Sequence, residues 1–159
     1  MTTKAATAEA VRKSITVDVP VERVFEVFTI GMTGWWPLYT HHIGEQDAAE
    51  VVVEARAGGR WFERAADGTE CDWGRIVAWD PPSRLVFGWH LGPGWEYDPD
   101  PAKSTEVEVQ FISEGATKTR VELEHRGFEV HGERGDELRT GVAAEGGWGS
   151  LLDRFAKAV

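Results

Sequence analysis

Residues 58–90 read GGRWFERAADGTECDWGRIVAWDPPSRLVFGWH, and their punctuation divides them into three strands and two turns. Gly58-Gly59 lets the chain swing into a strand that begins near Arg60. Asp67-Gly68 marks the first reversal, because glycine tolerates the positive φ of a tight hairpin turn. Asp80-Pro81-Pro82-Ser83 marks the second, since proline pre-sets φ for a turn and cannot donate to a ladder. Five of the eight tryptophans lie between Trp61 and Trp95, four of them inside this stretch. A meander so rich in indole is either the wall of a core or the wall of a pocket.

On the C-terminal side, residues 92–104 (GPGWEYDPDPAKS) carry three prolines and two glycines and read as a long surface loop. Two alternating strands follow. Val107, Val109 and Phe111 oppose Glu106, Glu108 and Gln110; Val121, Leu123 and His125 oppose Arg120, Glu122, Glu124 and Arg126. One charged face on each fits an antiparallel sheet covered on one side. The cover is a helix with Trp148, Leu151, Leu152, Phe155 and Val159 on one stripe, separated by Gly146-Gly147 from a weaker helix near residues 136–144. On the N-terminal side, residues 50–56 form a further strand around Val51, Val52 and Val53. Ile15, Val17 and Val19 mark a first strand, Pro20 opens a helix carrying Val24, Phe25 and Phe28, and Gly31 and Gly34 break it before Trp35-Trp36-Pro37. Strand, helix pair, strands and a terminal helix make an α+β domain over residues 11–159, preceded by a flexible tail over residues 1–10.

Composition limits the function. At 159 residues the chain can bury a sizeable core, and 42% hydrophobic content is that of a folded protein. A net charge of −10 argues against nucleic acid as a partner. No apolar run is long enough to cross a bilayer, and no apolar leader segment stands at the N-terminus, so a cytoplasmic protein without a membrane partner is expected. Cys71 is the only cysteine, which fits a reducing compartment. Motifs for phosphate cradling, serine hydrolysis or zinc hydrolysis are absent, and neither a metal nor a cofactor is expected.

The order of elements and the wording of the meander resemble the START-like, helix-grip (SRPBCC) superfamily, and within it the domain named for activators of the heat-shock chaperone ATPase. The resemblance rests on Ile15-Thr16-Val17, Pro20, Val24-Phe25, Gly58-Gly59-Arg60-Trp61, Asp67-Gly68, Gly74-Arg75-Ile76-Val77, Asp80 to Phe87, and Gly147-Trp148 through Phe155. It implies a curved antiparallel sheet of about six to seven strands wrapped on a long C-terminal helix, with a short helix pair after the first strand. It also implies use of the hollow between sheet and helix, for an apolar molecule or for cyclase and aromatase chemistry. The named co-chaperones carry a further N-terminal domain that engages the chaperone, and this chain leaves no room for one, which makes a chaperone partner doubtful. A protein-interaction domain acting on a chaperone ATPase through the sheet's outer face or the Trp95–Tyr97 loop is the third reading. The charge-patterned strands leave a homodimer surface open.

By the resemblance, Trp61, Trp73, Trp79 and Trp89 line the cavity, Trp148 and Leu152 face them from the helix, and Trp35, Trp36 and Tyr39 sit at the mouth. Indole walls suit a flat aromatic ligand, but they also suit a plain core. Period 2 sends Trp61 and Glu63 inward together and, if Val77 and Trp79 are inward, Cys71, Trp73 and Arg75 as well. An inward Arg75 would pair with Glu63 or with a ligand carboxylate or phenolate. The alternative is a bulge that returns these charges to the outer face. His125 shares a face with Val121 and Leu123 and points inward, as a core histidine or as an acid–base group. For catalysis the candidates are His125, Glu63 and Asp72. Adjacent His41 and His42 match no metal-ligand spacing, and Cys71 reads as a small buried hydrophobe.

Overall fold

A computed structural model describes residues 10–159; the expected N-terminal tail falls almost wholly outside the described residues. Seven strands form one antiparallel sheet: β1 (Val11–Val17), β2 (Ala48–Val53), β3 (Arg60–Ala65), β4 (Glu70–Asp80), β5 (Arg84–Trp89), β6 (Thr105–Gly115) and β7 (Lys118–Arg126). Their order is β1-β7-β6-β5-β4-β3-β2, so β2 to β7 form a continuous meander and β1 returns to its far edge beside β7. Helix α1 (Val21–Phe28) starts as Pro20 hands its carbonyl to the amides of Arg23 and Val24. Proline's fixed φ, −61° here, suits that position. A 3-10 turn over Met32–Gly34 follows, giving the expected short helix pair.

The C-terminal segment is helical in three pieces, not one long rod. A 3-10 stretch (Phe128–Arg134) kinks at Gly132, α2 covers Gly135–Ala143, and α3 covers Trp148–Ala158. Together they close the concave side of the sheet, as expected of a helix grip. Edge-to-face ring contacts tie α1 to the sheet, Phe25 with Trp79 and Phe111 at 5.0 and 5.2 Å, and α1 to α3, Phe28 with Phe155 at 5.2 Å. Such pairs add about 0.5–1.5 kcal/mol each beyond the area they bury.

Two bulges in β4 decide which side chains reach the concave face. Trp61 pairs with Gly74 and Phe62 with Asp72, so Trp73 is an extra residue; Ile76 pairs with Phe87 and Ala78 with Val86, so Val77 is another. Each extra residue reverses the alternation. Trp73, Ile76 and Trp79 therefore face inward, while Val77 is 51% exposed and Arg75 lies on the outer face. Gly74 is tied to the first bulge: a Cβ there would collide with the carbonyl oxygen of Gly88.

The outer face is a lattice of ion pairs. Arg60 holds Asp72 at 2.6 Å and Glu70 at 3.1 Å, and Arg64 holds Glu50 at 2.6 Å and Glu70 at 3.1 Å. Arg84 bridges Asp80 and Glu108, and Arg126 reaches Glu106, Glu108 and Glu124. Arg126 and Arg84 together hold the Glu108 carboxyl below its usual range. The Arg60 guanidinium also lies over the Phe62 ring at 3.9 Å, which covers an apolar side chain on the charged side.

Candidate functional site

One end of the concave face is solid. Trp61 stacks on Phe87 with centroids 4.6 Å apart, and Trp35 packs on Phe28 and Phe155 at 5.1 and 5.5 Å. The Trp35 N–H is spent on the carbonyl of Val27. The other end opens into a cleft of about 360 Å³ between the sheet, the loop around residues 40–43 and the α2–α3 junction. Trp36, Trp73, Trp89 and Trp148 form its indole walls, and Trp95 covers one side. Trp95 is 46% exposed and is the one non-glycine residue of positive φ among the described residues, at 61°. Its ring lies so close to Gly141 that a Cβ there would approach Trp95 Cζ2 to 2.9 Å. A bulky residue held in that conformation costs about 1–3 kcal/mol, so the surrounding contacts fix the cover in place.

Two of the walls, Trp73 and Trp148, are braced from behind by a polar side chain, while the Trp36 N–H goes to the His41 carbonyl and the buried Trp89 N–H has no partner among the described residues. Glu63, 3% exposed on β3, accepts three hydrogen bonds: from Trp73 Nε1 at 2.7 Å, from the Ile43 amide at 2.7 Å and from the Gly44 amide at 3.1 Å. It joins one indole wall to the rim loop. His125, fully buried on β7, accepts from Trp148 Nε1 at 3.0 Å through Nδ1. Since an indole only donates, Nδ1 carries no proton, and the neutral ring holds its hydrogen on Nε2, which donates to Thr105 Oγ1 at 2.8 Å. Burial pushes the imidazole from 6.5 down to about 3, so this brace is uncharged at neutral pH. At the mouth, His41 Nε2 donates to the Gly146 carbonyl at 2.7 Å, and its Nδ1 lies 2.8 Å from Thr40 Oγ1. That contact latches the rim loop to the α2–α3 junction. His42 has Nδ1 on the Gly44 carbonyl at 2.9 Å and Nε2 3.3 Å from Asp47.

A model of the family described as activator of Hsp90 ATPase homolog 1-like protein matches residues 18–159. The chain belongs to that family. Among solved structures, the anthrahydroquino-gamma-pyrone synthase Txn09, solved in a complex, is 37% identical, with a TM-score of 0.67 over 97% of this chain and 99% of that one. The self-sacrificing resistance protein CalC from Micromonospora echinospora is 33% identical, with a TM-score of 0.66 over 93% and 92% of the two chains. The Aha1 dimer from Colwellia psychrerythraea shares the fold, at 14% identity and a TM-score of 0.62 over 95% and 96%. None of the curated proteins matches the chain in sequence. Among the described residues no helix is long and apolar enough to cross a membrane, and no group of three metal-ligating side chains is present.

In this AHSA1-like chain the residues expected at the site separate into three sets. Trp36, Trp73, Trp89 and Trp148 line the cleft. Trp61, Trp35, Leu152, Glu63 and His125 are buried behind it. Arg75, Tyr39 and Asp72 do not reach it. Tyr39 is 78% exposed, and Asp72 is paired with Arg60 on the outer face. Of the two readings open for Arg75, the bulge at Trp73 takes the outward one, so no Glu63–Arg75 pair forms and Glu63 takes N–H donors instead. His41, His42 and Ile43 also line the cleft, and neither the metal-ligand spacing of adjacent histidines nor the loop around them carries a signal for that. Trp95 belongs to the stretch that reads as a surface loop, and nothing in the sequence points to Gly141 and Glu145 on the α2–α3 side. Arg75→Ala is expected to leave both the unfolding midpoint and small-molecule binding at wild-type values; a weakened ligand in titration would show that the outer face matters to the site.

Proposed function

We propose that this protein binds a flat aromatic or otherwise apolar small molecule in the indole cleft. The carrying observation is the cleft itself: four indole walls and a fifth indole as cover, with three of the wall N–H groups (Trp36, Trp73 and Trp148) already spent on internal acceptors. Such walls offer π faces and shape rather than hydrogen bonds, which is what a fused-ring ligand can use. The relative at 37% identity, a synthase named for an anthrahydroquino-gamma-pyrone, supports a ligand of that class. A protein of this kind would work in the cytoplasm, where Cys71 stays a thiol.

Catalysis of the cyclase or synthase type is the second reading, favoured by the name of the 37% relative. Against it, both ring nitrogens of His125, His41 and His42 already face protein partners, as do both oxygens of Glu63. Docking on a chaperone or on a second copy has less support. Among the described residues the exposed large apolar side chains are Ile30, Tyr39, Val77 and Trp95, and Trp95 is turned onto the cleft.

The test is a titration with 9-anthracenemethanol followed by tryptophan emission. Saturable one-site quenching is expected, weakened about tenfold in Trp95→Ala, which removes an exposed wall without opening the core. Wild-type emission that stays flat up to the probe's solubility would overturn the reading. Steady-state turnover of a ring-closing substrate would move it to the second.

A further inference from the structure

An inward Arg75, one of the two positions that period 2 leaves open, would put a cation in the cavity to meet an anionic ligand. The structure reverses the sign. Arg75 lies on the outer face, and among the described residues no lysine or arginine lines the cleft. His41 and His42 line it, but their ring nitrogens are engaged by Gly146, Thr40, Gly44 and Asp47, so they offer no free N–H to an anion. The remaining ionisable side chain on the lining is Glu145, on the link between α2 and α3. It is exposed, and among the described residues none pairs with it. This contrasts with the outer face, where carboxylates are bridged by arginines at 2.6–3.6 Å. The backbone beside Glu145 is held, because His41 grips the Gly146 carbonyl at 2.7 Å.

We infer that the cleft selects aromatic ligands bearing a positive charge, an amine or quaternary ammonium, with Glu145 as the counter-ion and the indoles as cation–π partners. This rests on the reading that the cleft binds an aromatic molecule, and it adds the charge. An indole face is the best aromatic partner for a cation. A carboxylate at the rim adds attraction over the same few ångströms, and the chain's net charge of −10 favours the approach of a cation and repels an anion.

The experiment uses one ring with three substituents: 9-(aminomethyl)anthracene as cation, 9-anthracenemethanol as neutral, and 9-anthracenecarboxylate as anion, each titrated by calorimetry at physiological ionic strength. The cation is expected to bind about tenfold more tightly than the alcohol, and the carboxylate more weakly than either. Glu145→Gln is expected to bring the cation to within about twofold of the alcohol measured on the same variant. Glu114→Gln removes a charge at the β6–β7 turn and controls for net charge; the preference should survive it. Equal affinities, or a carboxylate that binds best, would overturn the inference while leaving the aromatic cleft intact. A preference untouched by Glu145→Gln would overturn the role of that residue. Failure of all three probes would overturn the binding reading itself.

Discussion

Glu63→Ala is expected to lower the unfolding free energy by roughly 3–4 kcal/mol and to loosen one side of the cleft before the rest of the fold gives way. The carboxylate is almost wholly buried and accepts from three N–H groups, on Trp73, Ile43 and Gly44. Removing it strands the Trp73 indole N–H inside the protein, at about 1–3 kcal/mol, and releases two amides of the rim loop that water can only partly reclaim. Glu63→Gln keeps the shape and one acceptor oxygen, but its amide nitrogen would face an N–H donor, so a loss of roughly 1–2 kcal/mol is expected. Urea unfolding measures the totals. Amide exchange of Ile43 and Gly44 measures the local effect, and faster exchange at those two residues than at the β6–β7 pairs is the signature expected. A substitution that costs less than about 0.5 kcal/mol, with exchange at Ile43 unchanged, would mean that the rim loop does not depend on this carboxylate.

The fold was legible because its signals are periodic and local. Alternation over residues 105–112 and 118–126 placed β6 and β7, Asp67-Gly68 and Asp80 to Ser83 placed two reversals, and the Trp148–Phe155 stripe placed α3. What period 2 could not give was the inner set of β4. Two extra residues, Trp73 and Val77, each cost only a local kink, and nothing in residue type distinguishes a bulged strand from a regular one. Arg75 therefore stayed open in the sequence between a buried pair with Glu63 and a bulge to the outer face, and the second is the one that forms. Cleft residues such as Trp95, Gly141 and Glu145 were illegible for another reason. They come together only through tertiary packing of the 92–104 loop against α2, which leaves no pattern in either segment alone. Glu63, by contrast, follows the alternation with Trp61 and is buried, although its donors leave no signature in the sequence.

The histidine behind Trp148 gives the fold a pH limit. His125 is neutral when folded because protonation would charge a fully buried ring and place a hydrogen on Nδ1, against the Trp148 N–H that already points there. Its value falls from 6.5 to about 3, so between those limits the unfolded chain takes up a proton that the folded chain refuses. Stability is then fully present above about pH 6.5 and is lost as pH falls below it, by about 1.4 kcal/mol per pH unit. At pH 4.5 this one residue is expected to have removed roughly 2–3 kcal/mol. His125→Asn isolates the effect, since its amide oxygen can still accept from Trp148 while nothing titrates. The variant is expected to be less stable at pH 7.5, from the cavity left behind the ring, yet to close most of that gap by pH 4.5. Urea midpoints for the two proteins at pH 7.5, 6.0 and 4.5 decide the matter: converging profiles follow from a buried neutral imidazole, whereas parallel ones would show that His125 protonates as readily in the folded protein as in the unfolded chain. Convergence would also exclude His125 as a general acid near neutral pH, since the proton it would have to give is not held there. It would leave that residue the task its two hydrogen bonds describe, which is to fix the orientation of the Trp148 wall.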